Sequence, residues 1–243
     1  MARKPSRRTA AKSARRSSAG RLAPASAPTT DRDKIVAAFL ALLAEKPFED
    51  IGFSDIAGRG GVTLTQLRSE FTSTLAMLAA QIKATDRAVL AADLSDMAEE
   101  SPRERLFDVL MRRLEALAPH RAAVRSLLRS ARRNPALALA LNGLAVRSQQ
   151  WMLTAAGIGA SGPRGVLRAQ GLAVLFASVL RAWVQDDDPG QARTMAALDR
   201  ALGRGQRLAG FVDELCYIPS RICRLRPGRR GRGDEDYEEA AVV

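Results

Sequence analysis

Two cysteines, one histidine and 5% aromatic residues are nearly all that 243 residues carry of the side chains used for covalent, metal or redox chemistry. Cys216 and Cys223 stand seven apart, which fits neither a metal-ligand nor a redox pair, and they are too few for a disulfide framework. A reducing cytoplasm is the expected compartment. His120, the only imidazole, follows Pro119 at a helix start, where a polar cap is the ordinary role. Nucleophile motifs and phosphate-cradling loops are missing; Gly58, Arg59, Gly60 and Gly61 belong to a bend between helices and not to a strand-to-helix turn. Neither an enzyme, a cofactor nor a metal is implied. Runs of 18 uncharged apolar residues do not occur, and residues 1–30 lack the apolar core of a secretory signal. Few aromatic and β-branched residues, against many Ala, Leu and Arg, argue against a sheet and for an all-α fold.

The net charge of +12 is unevenly placed. Residues 1–30 hold eight Lys and Arg and no acid; residues 221–243 hold six Arg against five acids. The remainder, with 24 basic and 21 acidic residues, contributes only +3. The first segment, rich in Ser, Ala, Pro and Arg, is expected to be a disordered basic tail, because it has too little apolar surface to fold. Leu22 is its only large aliphatic residue beyond Met1, so it cannot form the amphipathic face of an organellar transit peptide.

Caps punctuate the body. Ser101, Pro102 and Glu104 make a capping box with proline at the first helical position, and "NP" at 134, "SGP" at 161 and "DP" at 188 announce further starts. Ile35, Ala38, Phe39, Leu42 and Leu43 form one apolar stripe, and Leu106, Val109, Leu110, Leu114 and Leu117 another. These signals predict helices over 32–45, 54–60, 64–70, 73–97, 103–117, 120–131, 135–156, 164–185 and 189–209. The domains expected are a basic tail over 1–30, a helix-turn-helix domain over 31–80, a helical bundle over 81–210, an amphipathic helix over 211–225 and a disordered tail over 226–243.

Within the second of these, Ser54 to Phe71 reads as two short helices about a glycine turn. Ile56, Ala57, Val62, Leu67 and Phe71 supply a small core, Gly60 and Gly61 the sharp turn, and Thr63 with Gln66 a capping box. The run from Asp31 to Leu78 resembles the N-terminal domain of TetR-type regulators, with its "IA" helix, "GVT" and short helix closing on Phe71. The resemblance implies a three-helix DNA-binding domain followed by a ligand-binding and dimerisation bundle over 81–210, a homodimer, and a double-stranded operator of palindromic form. Thr63, Leu64, Thr65, Gln66, Arg68, Ser73 and Thr74 then fall at the DNA, with Gln66 suited to adenine and Arg68 to guanine or phosphate. Arg68 and Thr74 replace the aromatic residue and the lysine of the family pattern. Residues 31–80 hold five basic against seven acidic residues, a net −2 that is unusual for a duplex binder, and Glu70 adds repulsion unless it faces inward or accepts from a cytosine amine. The basic tail is the expected source of the missing charge.

The bundle carries weaker indications. Asn134 to Leu208 is similar to the C-terminal region of the TetR-like lipid-binding proteins of coenzyme Q biosynthesis: Ala156–Gly157 after a Trp-bearing helix, the Asp186–Asp188 stop and the helix from Thr194. That resemblance implies an alternative, a lipid-binding accessory protein without DNA-binding activity. The TetR-type resemblance implies an interface built by the last two helices, at Leu172, Leu175, Val179, Trp183 and Leu198. Trp151 and Gln150 are candidates to line a cavity for an apolar or amphipathic effector, core packing being the other reading of Trp151. Arg121, Arg125, Arg129 and Arg132 share one helical face, read as solvated, paired with acids such as Glu115, or open to an acidic partner. Phe211, Leu215, Ile218, Ile222 and Leu225 lie beside Arg221, Arg224 and Arg226; an extra helix on the bundle is the ordinary reading of 211–226, membrane contact the sharper one.

Overall fold

Thr30 opens the first helix in the computed structural model, which describes residues 30–92, 97 and 99–205. The basic tail, the amphipathic segment over 211–225, both cysteines and the acidic C-terminus lie outside the described residues. Helix α1 (Asp31–Glu45) is capped by Thr30 and buries Ile35, Ala38, Phe39, Leu42 and Leu43, the stripe predicted by periodicity. A 3-10 turn (Phe48–Asp50), α2 (Phe53–Gly60), α3 (Leu64–Glu70) and α4 (Thr74–Leu90) complete the N-terminal unit. Its core joins α1 to Ile56, Ala57, Leu67, Phe71, Met77 and Leu78, each apolar by sequence and spaced by helical turns.

Helix α4 was expected to continue to residue 97; it ends at Leu90, where Ala91 N–H donates to the Arg87 carbonyl. Ser101 and Glu104 then form the predicted capping box of α5 (Pro102–Leu117), Ser101 N–H donating to Glu104 Oε2 at 3.0 Å. A 3-10 turn over Ala118–His120 leads into α6 (Arg121–Arg133), and α7 (Pro135–Ala155) starts on Asn134, whose Oδ1 accepts from Leu137 N–H at 3.0 Å. Helix α8 (Gly162–Trp183) follows the predicted Ser-Gly-Pro start. Gly165 is required there, because a Cβ would sit 2.1 Å from the Ala160 carbonyl carbon where the loop crosses the helix.

The last described helix, α9, runs over 192–205 and begins three residues later than "DP" predicts. Pro189 and Gly190 make a tight turn instead, closed by Gln191 N–H donating to the Asp188 carbonyl at 2.9 Å, with Gln191 at φ 51. Buried Asp186 ties the two helices together: Oδ2 accepts from Thr194 N–H at 2.8 Å and Thr194 Oγ1 at 2.7 Å. The Thr194 hydroxyl, foremost among these donors, holds the Asp186 carboxyl below its ordinary pKa.

A second core is formed by α5, α7, α8, α9 and Val89 of α4. Leu172, Val179, Trp183 and Leu198 belong to it, and Val179 and Trp183 are each 1% exposed. These four were expected at a dimer interface; in this chain they are buried in one core cluster with Ala201 and Leu202 of α9. Leu175 is partly buried against the same core. Trp151 departs in the other direction: it is 59% exposed, so it is neither core nor the wall of an enclosed cavity, and its neighbour Gln149 takes the interior place at 1% exposure. Gln150, on the same turn, is half-buried.

His120 makes no cap hydrogen bond at the start of α6, contrary to expectation. It is half-buried, and burial lowers its pKa from the ordinary 6.5. The folded chain therefore favours the neutral ring, and as pH falls the unfolded chain takes up the proton first. This contribution to stability is complete above about pH 6.5 and is lost as pH falls through the depressed folded value. The thermal midpoint is expected to decline from pH 7 towards 5.5, and His120→Gln to flatten that decline. An unchanged slope in the variant would show that His120 is not its cause.

Candidate nucleic-acid interface

Two short helices at a fixed angle are held by their turn. Gly61 adopts φ 65, the left-handed conformation that favours glycine, and closes α2 by donating to the Gly58 carbonyl. Gly60 serves the packing of α2 on α1, because a Cβ there would lie 3.4 Å from Ala38 Cβ and 3.5 Å from the Lys34 carbonyl oxygen. Thr63 then caps α3, accepting from Gln66 N–H at 3.2 Å, and Leu67 and Phe71 anchor one side of α3 in the N-terminal core.

The reverse sides of α3 are of two kinds. One flank is strapped to the first turn of α1. Gln66 Oε1 accepts from Thr63 N–H at 2.8 Å and from the Thr63 hydroxyl at 3.0 Å, while Gln66 Nε2 donates to Asp31 Oδ2 at 3.0 Å. Both the oxygen and the nitrogen of the amide are engaged within the domain, so bidentate pairing with adenine would require Gln66 to give up these bonds. Four residues on, Arg32 donates to the Glu70 carbonyl at 3.0 Å and pairs its carboxylate at 3.4 Å, with its guanidinium 4.3 Å from the Phe71 ring centre. Glu70 thus anchors α1, its carboxylate facing Arg32.

The other flank and the outer face are open. Thr65 and Arg68 are exposed, Leu64 is 54% exposed, and Thr63 stands beside them as cap. Ser73 caps α4, accepting from Ala76 N–H at 3.1 Å, and Thr74 begins that helix half-buried. The remaining basic residues of 31–80 are neutralised locally. Lys34 pairs with Asp31 at 2.9 Å, Lys46 with Asp55 at 2.5 Å, and Arg59 with Glu45 through two bonds of 2.9 and 2.7 Å. With Arg32 on Glu70, four of the five cations in this range have carboxylate partners, and Arg68 is the one that has none among the described residues. The partners hold the Glu45 and Asp55 carboxyls below their ordinary pKa, through hydrogen bonds from Arg59 and Lys46 respectively.

Helix α6 connects this unit to the bundle, a role the sequence did not disclose. Ser126 Oγ donates to the Lys46 carbonyl at 3.1 Å, and Ser130 Oγ accepts from Phe48 N–H at 3.1 Å while donating to Glu49 at 2.8 Å. On its far side Arg121 donates to the carbonyls of Trp183, at 2.6 Å, and Asp186, and Arg125 donates through Nε to the Val184 carbonyl at 3.1 Å. Half of the predicted arginine stripe, half-buried Arg121 and exposed Arg125, therefore bonds backbone carbonyls. It caps the C-terminal end of α8, where unsatisfied carbonyls and the helix dipole favour cations; Arg129 and Arg132 are exposed.

A further polar cluster spans the bundle. Asp86 on α4, 8% exposed, is paired with Arg113 on α5, 5% exposed, and accepts from Ser148 Oγ on α7 at 2.7 Å. The Arg113 guanidinium also lies 5.7 Å from the Phe176 ring centre on α8. Four helices thus meet on one buried ion pair.

No family model matches the chain, and no curated protein matches it. Solved structures do. A TetR transcriptional regulator from Nitrosomonas europaea is 22% identical with a TM-score of 0.57, over 73% of this chain and 98% of that one. A TetR transcriptional regulator from Rhodococcus sp. RHA1 is 22% identical with a TM-score of 0.52, over 72% of this chain and 95% of that one. Helix order, the α2–α3 turn and the bundle behind it agree with these likenesses: this chain has the fold of the TetR-type transcriptional regulators.

Proposed function

We propose that the chain is a homodimeric, cytoplasmic transcriptional regulator that binds double-stranded DNA through α3 and answers to an apolar or amphipathic ligand in the bundle. The observation that carries this reading is Arg68, an exposed cation without a carboxylate partner on the open side of α3, in a domain that neutralises its other cations internally. Arginine in that place meets phosphate or guanine directly. Nearly the whole length of the two solved regulators is covered, which supports the same division into reading head and bundle. Selecting bound duplexes from a random pool with the full chain tests it. A palindromic consensus supports the reading, and a pool with no enriched sequence overturns it.

The dimer is proposed on a different surface from the one the sequence suggested. An 18-residue window of α8 has mean hydropathy 1.3, yet only 33% of it is buried in the chain. Leu167, Gly171 and Val174 lie on its exposed face at spacings of four and three, and α7 beside it exposes Leu139, Gly143 and Trp151. A Cβ on Gly143 or Gly171 would meet nothing within 4 Å, although glycine inside a helix costs about 0.5–1 kcal/mol. Close approach by a second copy's helices gives those glycines a use. Leu167→Asp with Val174→Asp is expected to yield monomers, since an unpaired buried charge costs several kcal/mol. Unchanged mass by light scattering at micromolar concentration would refute this interface.

A further inference from the structure

The side chains of α3 divide into those already committed and those free to meet a base. We propose that Leu64, Thr65 and Arg68 together read a guanine with a thymine nearby in the major groove, and that Gln66 is a positioning residue that reads nothing. The assignment rests on the DNA-binding reading above and specifies its half-site.

Four observations carry it. The Gln66 amide is held between Thr63 and Asp31, so pairing with adenine would give up its bond to Thr63 N–H, one half of the capping box, and the strap to α1 together. Ser69 Oγ donates to the Gln66 carbonyl at 2.7 Å, and Glu70 is held by Arg32, which removes the hydroxyl and the carboxylate of the same helix from the reading set. Arg68 keeps its whole guanidinium fork, the group that pairs with guanine O6 and N7. Leu64 exposes 54% of its surface at the first residue of α3 instead of joining the core one turn away. An apolar side chain at the leading end of a groove-entering helix matches the C5-methyl of thymine, and the Thr65 methyl lies beside it. At about 1.5 Å of rise per residue, Leu64 and Arg68 are about 6 Å apart along the axis, close to two base-pair steps of about 3.4 Å. The guanine and the thymine are therefore expected within about two base pairs of each other.

The experiment uses the full chain and its own enriched duplex with single-atom base analogues. Replacing the guanine by 7-deazaguanine, or making Arg68→Ala, is expected to weaken binding about 5- to 150-fold, and combining the two to add little. Exchanging the thymine for deoxyuridine, which deletes one methyl, is expected to weaken the wild type about fourfold and to leave Leu64→Ala nearly unaffected. Substituting 7-deazaadenine for any adenine of the half-site is expected to be silent. Gln66→Ala is expected to weaken every duplex by a similar factor while keeping the same preferred bases. Thermal midpoints of the Leu64 and Arg68 variants should match the wild type, since both residues are exposed. An adenine N7 dependence that vanishes in Gln66→Ala overturns the assignment and leaves DNA binding standing, as does an enriched duplex indifferent to Arg68→Ala and to both analogues. A pool with no enriched duplex overturns DNA binding and the assignment with it.

Discussion

Arg113→Ala is expected to lower the stability of the chain by about 3–5 kcal/mol, well beyond what breaking any of its exposed ion pairs would cost. Removing the guanidinium leaves the Asp86 carboxylate buried with Ser148 Oγ as its remaining side-chain partner. A lone hydroxyl does not offset the desolvation of an ionised group, so the variant loses stability unless the chain opens to water at Asp86. The urea midpoint should fall with little change in slope, because the surface exposed on unfolding is the same. Asp86→Leu combined with Arg113→Met should recover most of the loss, since replacing both partners leaves no orphan charge. Asp86 sits on α4, which also carries Met77 and Leu78 into the N-terminal core, so this pair ties the helix shared by both cores to α5 and α7. If the single variant costs less than about 1 kcal/mol, the pair is solvated in solution and does not hold α4 in place.

Deleting residues 1–29 is expected to weaken binding to every duplex, matched or scrambled, and to flatten its dependence on salt. The deletion removes eight positive charges, while residues 31–80 keep a net −2 with Arg68 as the single cation lacking a carboxylate partner. Every phosphate that the shortened chain no longer neutralises takes about 0.9 from the slope of log affinity against log salt, and a protein that engages about 6–10 phosphates changes affinity about 10³–10⁵-fold between 50 and 200 mM salt. The preferred base sequence should persist, because the side chains that choose it are on α3. Titrating wild type and deletion against a matched and a scrambled duplex at two salt concentrations measures both effects. Equal slopes for the two proteins would place the phosphate contacts on the body and remove the tail from the binding mechanism. Were Arg68→Ala also silent on every duplex, the two-helix head would be a retained fold, and the lipid-binding alternative would gain by it.

Local signals in the sequence determined most helix starts, though not that of α9, and the turn between α2 and α3. Thr30, Thr63, Ser73, Ser101 and Asn134 cap helices because a short polar side chain reaches an amide two or three residues ahead whatever surrounds it. The α1 stripe is buried because residues three and four apart share a face. Interactions of that range are legible without a structure. What only the tertiary structure decided lies at long separation: Gln66 is held by Asp31, 35 positions away; Arg121 caps Trp183, 62 away; Asp86 accepts from Ser148, also 62 away. An apolar stripe states that a helix must be covered and not by what, so Leu172, Val179 and Trp183 could join Ala201 and Leu202 of α9 in the chain's own core while Val174 stays outside. Trp151 lies outside and Gln149 inside for the same reason, since two positions differ by more than half a helical turn and packing of α4, α5 and α8 around α7 chooses between them.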